Sequence, residues 1–421
     1  MQRRSVTKKA LARAVLHLTG RLKPYTLCRF LPAAAMMNWN DHLQAALDSQ
    51  AAKRAYRRRT ARCADTTPPY LENGGKRYLN FAGNDYLGLS RDPGIIAAWQ
   101  QALAQYGTGS GGSPLVSGHT DAHETLENRL ADWLGYECAI LFPSGYAANQ
   151  AVLLGLLGKN DVLLADKLCH ASMQEAAALG PAQFKRFAHR QYDVLEKQLI
   201  EHQGKRILVA SEGVFSMDGD TADLGRLKTL CERYSAWLLL DDAHGIGILG
   251  SEGRGSAAAA GVQPDILIVT FGKAVGLMGA AVLCSRTVAE YLTQFARHLI
   301  YSTAFPPAQA AALSAAFARI RSADDLRGKL RGNIHFFQTA LSECGLRERL
   351  MPSETPIQPF LCGSNEAALS ASAILRGHGL YVPAIRPPTV PVGQARLRIT
   401  FTAAHEPTHI ETLIKGLQDA V

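Results

Sequence analysis

No stretch of the 421-residue chain holds the roughly 18 consecutive apolar residues that a bilayer crossing needs. The best run, Ala-Val-Leu-Leu-Gly-Leu-Leu at 151–157, suits a buried core segment, so no membrane partner is expected. There is also no Cys-x-x-Cys pair and no Cys/His cluster at zinc spacing. The eight cysteines, Cys28, Cys63, Cys138, Cys169, Cys231, Cys284, Cys344 and Cys362, are scattered. That pattern excludes a disulfide framework and a structural metal, and fits buried thiols in a reducing cytoplasmic compartment. Acidic residues are missing altogether from residues 1–36, which carry Arg3, Arg4, Lys8, Lys9, Arg13, Arg21, Lys23 and Arg29. Those eight belong to a total of 45 basic residues, and the other 37 nearly balance 36 acidic ones. The net charge of +9 is therefore a property of the tail, and a general nucleic-acid-binding surface is not expected.

What is present reads as a globular protein. The apolar share of 47% and charged share of 19% are ordinary, and the length allows two or three domains. Residues 41–62 have helical periodicity, residues 78–81 are strand-like, and residues 93–106 are again helical. From residue 138 short apolar runs alternate with helical stretches. Candidate strands are 138–142, 161–164, 206–209, 237–240, 265–269 and 280–284. This α/β alternation predicts a mostly parallel central sheet with helices on both faces. Beyond residue 305, long Ala-rich helices lead to strand-like runs at 356–361 and 395–401, which predicts a smaller α+β C-terminal domain. The expected divisions are a basic tail over 1–36, an N-terminal helical segment over 37–80, a large domain over 81–304 and a small one over 305–421.

In parallel sheets, ligands bind beyond the carboxyl ends of the strands. Those ends here carry Ser144, His170, Ser216, Asp241 with Asp242 and His244, and Thr270 with Lys273. A lysine held among glycines and apolar side chains loses its proton easily and can form a Schiff base, and Gly272 and Gly276 allow close backbone approach. A carboxylate on a neighbouring strand, Asp241, could keep a pyridine nitrogen protonated. Together they point to pyridoxal 5'-phosphate (PLP). Asp241 and Asp242 are adjacent, so one faces the ring and the other caps the following turn. Asp-Asp-Ala-His alone could be a metal site, but no further ligand of suitable spacing occurs, and none is expected.

Ser144-Gly-Tyr-Ala-Ala-Asn149 follows a strand and opens a helix, whose free N–H groups form a phosphate seat reached over Gly145. A plain N-cap by Ser144 is compatible with that role. For His170, a structural histidine and one that stacks on the cofactor and shuttles protons are equally open. Gly107-Thr-Gly-Ser-Gly-Gly112 has the letters of a dinucleotide fingerprint but follows a helix, so a flexible loop over the substrate is expected instead. Arg386 and Arg398 are candidates for a substrate carboxylate. Arg396 shares a strand face with Arg398, although arginines on edge strands are usually just solvated.

At these residues the sequence resembles the α-oxoamine synthases, PLP enzymes of fold type I. The resemblance runs from about Met37 to the C-terminus and rests on Asn84-Asp-Tyr-Leu-Gly88, Ser144-Gly-Tyr-Ala-Ala-Asn149, His170-Ala-Ser172, Glu212-Gly-Val-Phe-Ser-Met-Asp-Gly219, Asp241-Asp-Ala-His-Gly245 and Thr270-Phe-Gly-Lys273. It implies an enzyme that joins an amino acid to an acyl thioester with loss of CO2. Two further stretches, Ile385-Arg-Pro-Pro-Thr-Val-Pro391 and 295–303, are similar to a member that uses L-alanine and a pimeloyl thioester on CoA or a carrier protein. The resemblance gives Lys273 the Schiff base and proton transfer, Asp241 the ring nitrogen, and His170 a face of the ring. It puts Ser216 and His244 near the ring oxygen, and Thr270, Ser144, Gly145 and Tyr146 around cofactor and phosphate. It assigns Arg398 to the amino-acid carboxylate, with Arg57, Asn84, His170 and Thr389 on the substrate side. Tyr146 and Cys169 depart from the family pattern without touching the mechanism. The resemblance also implies a homodimer. Because the family begins near Met37, translation is expected to start at Met37 or Met36. A transit peptide and a basic tether are the other readings of the tail.

Overall fold

The computed structural model describes residues 38–53, 56–57, 59–61 and 68–421; the tail at 1–36, Cys28 and Cys63 lie outside these residues. The chain divides into two compact units, residues 1–60 and 61–421. In the first, helix α1 (Trp39–Ala52) starts at Asn38, whose side chain accepts from the Asp41 N–H at 3.0 Å. It ends ten residues before the expected limit of 62, where the run toward Arg59 brings like charges together at helical spacing.

In the second unit, a hairpin of β1 (Tyr70–Asn73) and β2 (Lys76–Asn80) precedes α2 (Pro93–Tyr106) and α3 (Asp121–Leu134). Helix α2 has the limits its signals predict: Asp92 accepts from the N–H groups of Gly94 and Ile95, Pro93 sits at the first position, and Gly107 ends it at φ +76°. The large sheet holds β3 (Cys138–Phe142), β4 (Val162–Asp166), β5 (Gln183–Phe187), β6 (Ile207–Glu212), β7 (Trp237–Asp241), β8 (Ile266–Thr270) and β9 (Ala280–Cys284), in the order β3-β9-β8-β7-β6-β4-β5. Strands β8, β7, β6, β4 and β5 pair in parallel, while β9 is antiparallel to both its neighbours.

Side-chain alternation along these strands explains their all-apolar composition. Leu164, Val209, Leu238, Leu240 and Val269 join one buried cluster, and Leu163, Leu208, Leu239 and Ile268 join the other. Both faces are thus core, as the expected α/β architecture requires. Truncating any one of these leucines to alanine should cost about 2–5 kcal/mol.

The C-terminal part contributes β10 (Ile357–Gly363), β11 (Leu380–Tyr381), β12 (Ala384–Ile385) and β13 (Ala395–Thr400). Strand β13 lies between β10 and β12, and all six of its residues are buried. Arg396 and Arg398 therefore do not stand on a solvated edge, the bland alternative to a role for them. Strand β11 pairs in parallel with β2, so the early hairpin and the C-terminal segment share a sheet. Among the described residues, no helix is long and apolar enough to cross a membrane.

Candidate functional site

The carboxyl ends of β3, β4, β6, β7 and β8 open on one cavity of about 290 Å3. It is lined by Asn84, Ser144, Gly145, Tyr146, Asn149, His170, Glu212, Asp241, Ala243, His244, Thr270 and the loop Gly272, Lys273 and 277–279. Its size is at the lower end of the roughly 300–1,000 Å3 usual for small-molecule sites.

Strand β7 delivers Asp241, 5% exposed. One of its oxygens accepts from the Ala243 N–H at 3.0 Å and the other from Asn149 Nδ2 at 2.7 Å. Asn149, from helix α4 (Gly145–Leu156), also donates to Ser172 Oγ at 3.1 Å, and Ser172 Oγ lies 2.8 Å from His170 Nδ1. A line of hydrogen bonds therefore joins Asp241 to His170, which is the N-cap of α5 (Ala171–Leu179). The imidazole meets the Tyr146 ring edge-on at 6.2 Å. Burial lowers its pKa, with Lys273 acting in the same direction and Asp241 opposing.

Asp242 points the other way, as the adjacency of the two acids implies. It accepts from the Ser256 N–H at 2.7 Å and from the Ser256 hydroxyl. The backbone of Gly213, Gly245 and Gly255 closes around it so tightly that a Cβ on any of them would overlap its oxygens. Burial raises its pKa to about 7.

Lys273 enters from the loop after β8. Burial lowers its pKa, opposed by the negative charge of Asp241 and Glu212. Glu212, 3% exposed, is the direct cross-strand neighbour of Asp241. Burial and the Asp241 charge push its carboxyl well above the usual range.

Helix α4 begins at Ser144, whose side chain accepts from the Ala147 N–H at 3.1 Å. A Cβ on Gly145 would come within 2.5 Å of Thr270 Cγ2, so only glycine brings this helix start against β8. Arg398 donates from Nε to the Ser216 carbonyl at 2.7 Å and from its terminal nitrogens to Oδ1 of the cavity-lining Asn84 at 3.2 and 3.3 Å. The Tyr86 hydroxyl lies 3.1 Å from the same Oδ1 and 2.7 Å from His244 Nδ1. Segment 81–86 is fixed against the end of β13 and the turn after it by bonds from Thr400 N–H to Phe81 O at 2.9 Å and from Ala403 N–H to Tyr86 O at 2.8 Å.

Of the expected residues, Asn84, Ser144, Gly145, Tyr146, His170, Asp241, His244, Thr270 and Lys273 line the cavity together. Ser216 and Arg398 stand behind Asn84. Thr389 is exposed, bonded to the Arg386 carbonyl at 3.0 Å, and is not among the lining residues. Arg57 is exposed in the first unit. Arg396 is consumed by Asp218 at 2.7 Å and by the carbonyls of Gln394 and Met217. The loop at 107–112 is tied to residue 304, through Ser110 Oγ to the Ala304 carbonyl at 2.6 Å and Ala304 N–H to the Gly112 carbonyl at 3.0 Å.

Sequence reasoning gave no role to Asn149, Ser172, Tyr86 or Glu212. Each lies inside a motif that carried the resemblance. The available signal was a polar residue where the surrounding pattern is apolar or small, as with Asn149 within Ala147-Ala-Asn-Gln-Ala-Val152.

The family described as class I and II aminotransferases matches residues 76–417. The chain belongs to that family. It is 54% identical over 383 residues to a protein of Serratia proteamaculans named 8-amino-7-oxononanoate synthase, covering 91% of this chain and 99% of that one. Among solved structures, an 8-amino-7-oxononanoate synthase from Francisella tularensis is 30% identical, with a TM-score of 0.71 over 81% of this chain and 97% of that one. A serine palmitoyltransferase from S. paucimobilis with a bound PLP–myriocin aldimine is 29% identical, with a TM-score of 0.83 over 90% of this chain and 96% of that one.

The cavity suits PLP on its own evidence. Thr270 Oγ1, Asn149 Oδ1 and Glu212 Oε1 are buried side-chain atoms without a hydrogen-bond partner, and all three residues line it. Unpaired buried polar groups cost about 1–3 kcal/mol each, so three around one space mark a place for a polar ligand. The helix start at Gly145 supplies N–H donors for a phosphate, and the buried Asp241 supplies the partner for a ring nitrogen.

Proposed function

We propose that this chain uses PLP to join L-alanine to the pimeloyl group of a thioester with loss of CO2, forming 8-amino-7-oxononanoate for biotin synthesis. The observation that carries this reading is the 54% identity to a synthase of that name across 99% of its length. The serine palmitoyltransferase shares the fold more closely than it shares the sequence, and fold alone does not select a substrate.

Lys273 would hold the cofactor's aldehyde carbon, Asp241 its ring nitrogen, and the α4 start with Ser144, Tyr146 and Thr270 its phosphate. Bound PLP supplies a sink for the electron pair left when the amino acid loses its α-proton. Burial lowers the Lys273 pKa and so favours the neutral amine, the form able to add to a carbonyl and to accept that proton. Asn149 keeps Asp241 oriented through its 2.7 Å bond. Arg398, steadied by the Ser216 carbonyl and Asn84, would take the alanine carboxylate by a charge-assisted pair. His170, whose pKa burial lowers, lines the cavity and can move a proton there. Arg57 and Thr389 are carried as substrate-side residues on the resemblance alone.

The proposal includes a homodimer and the division into domains over 81–304 and 305–421. Exposed Leu115, Val116 and Tyr301, together with Met278 on the cavity wall, support the first point, since such apolar groups cluster where chains associate. The test is a panel of amino acids against acyl thioesters with purified holoenzyme. L-alanine with a pimeloyl thioester should give the fastest turnover, with CO2 release and the expected product by mass spectrometry. Preference for glycine with a short acyl-CoA, or for L-serine with palmitoyl-CoA, would overturn the assignment.

A further inference from the structure

The loop that leaves β6 folds back on itself and turns its tip toward the C-terminal part of the chain. Val214 bridges Thr221, the Phe215 N–H donates to the Asp220 carbonyl at 2.9 Å, and the Gly219 N–H donates to the Phe215 carbonyl at 2.9 Å. Each residue of the tip, 216 to 219, is then held from outside the loop. The Ser216 carbonyl accepts from Arg398 Nε at 2.7 Å, the Met217 carbonyl from Arg396 Nη1 at 3.4 Å, and the Gly219 carbonyl from the Thr355 hydroxyl at 2.9 Å. Asp218 Oδ1 accepts from Arg396 Nη1 at 2.7 Å. Arg396 and Arg398 stand two positions apart on β13, so both leave the same face of the strand and reach adjoining residues of the tip. The other end of the Arg396 guanidinium is anchored on Gln394, with Nε on its carbonyl at 3.0 Å and Nη2 on its Oε1 at 3.1 Å. The two arginines differ in their charge balance. Arg396 is fully buried and paired with Asp218. Arg398 is 6% exposed and, among the described residues, forms no salt bridge, so its cation awaits an anion.

We propose that Arg396 and Asp218 are a positioning pair: they clamp the tip of the loop after β6 so that the Ser216 carbonyl fixes the direction of Arg398, whose terminal nitrogens then stay beside Asn84 for the substrate carboxylate. The inference rests on the reading of Arg398 as the carboxylate-binding group. A buried ion pair is better suited to fixing a geometry than to adding stability, and this one joins the strand that carries Arg398 to the loop that steers it. Without the pair, the tip loses the bonds to Met217 and Asp218, and the guanidinium of Arg398 loses its fixed reference. Because a small misplacement of a positioning group weakens an oriented contact strongly, the loss falls on ligands that carry a carboxylate and spares those that lack one.

The experiment titrates PLP-loaded full-length protein with L-alanine and with ethylamine, which is alanine without its carboxylate, and follows the absorbance of the bound cofactor. In Arg396→Met the ratio of L-alanine to ethylamine affinity should fall roughly tenfold, the value of one weakened hydrogen bond to a charged group. Ethylamine affinity and PLP uptake should stay within about twofold of wild type, which a general loss of structure would not allow. Asp218→Asn, at a side chain that is only partly buried, should move the ratio in the same direction and serves if Arg396→Met does not fold. Arg398→Leu is the reference and should lower the ratio at least as far. A ratio that falls in Arg398→Leu but holds at the wild-type value in the pair variants would overturn the positioning proposal alone. Equal weakening of both ligands in the pair variants would overturn it too, by marking the pair as merely structural. A ratio unmoved by Arg398→Leu would refute the carboxylate reading itself, and the proposal with it.

Discussion

Replacing Asn149 by alanine removes the donor that lies 2.7 Å from Asp241 Oδ2. Asn149 is 1% exposed, so solvent does not reach the site to replace it. A hydrogen bond to a charged group contributes roughly 1.5–3 kcal/mol, which is about a ten- to hundredfold change in an equilibrium constant. That stabilisation belongs to the Asp241 anion, the form that pairs with a protonated ring nitrogen. Without it, PLP affinity should fall by about one to two orders of magnitude. Absorbance titration of PLP into the protein at neutral pH measures this. Thermal melts of the PLP-free chain separate it from lost packing. Asn149→Asp should bind still more weakly, because two carboxylates at hydrogen-bond distance cannot both ionise. If Asn149→Ala takes up PLP within about twofold of wild type, less than the weakest such bond allows, the reasoning is refuted.

Gly255→Ala should destabilise the fold by about 3 kcal/mol or more in urea melts, since Gly255 has φ +94° and its Cβ would overlap the Asp242 carboxylate. His189 bridges Asp166 at 3.0 Å and Asp220 at 2.8 Å. Burial pulls its pKa down, but the hydrogen bonds to the two carboxylates outweigh this and raise it to about 9. A raised folded-state pKa stabilises fully below the unfolded value of about 6.5, and the gain is lost as pH rises through about 9. His189→Gln should therefore cost about 2 kcal/mol near pH 6, allowing for partial solvent screening, and little above about pH 10. Melts across that range check the slope. Glu212→Gln should keep PLP uptake within about threefold of wild type, because burial beside Asp241 pushes the carboxyl well above its usual range and disfavours the anion that the amide cannot supply. A much larger loss would show that Glu212 works as an anion.

Most of the large sheet was legible because strands buried on both faces leave an uninterrupted apolar run. Strands β3 and β9 fall at the expected residues, and β4, β6, β7 and β8 start within one residue of them. Strand β5 was missed: at the sheet edge, Gln183-Phe-Lys-Arg-Phe187 buries only its last residue and alternates too weakly to stand out. Strand β1 escaped for a similar reason, with Leu71 its one buried residue. The principal polar residues of the cavity could be read because each follows a strand. Their supports could not. Asn149 sits in the body of a helix, and Tyr86 reaches His244 across 158 positions of sequence. Linear spacing carries no trace of such contacts. The two strands that bring Glu212 opposite Asp241 were predicted, but register is set by the folded sheet.

The central claim is that Lys273 and Asp241 serve one bound PLP. Borohydride reduction of the holoenzyme followed by peptide mass spectrometry tests it directly. The account predicts a single phosphopyridoxyl group on the peptide containing Lys273, lost in Lys273→Ala. A label on a different lysine, or none on a chain that still turns over, would contradict it.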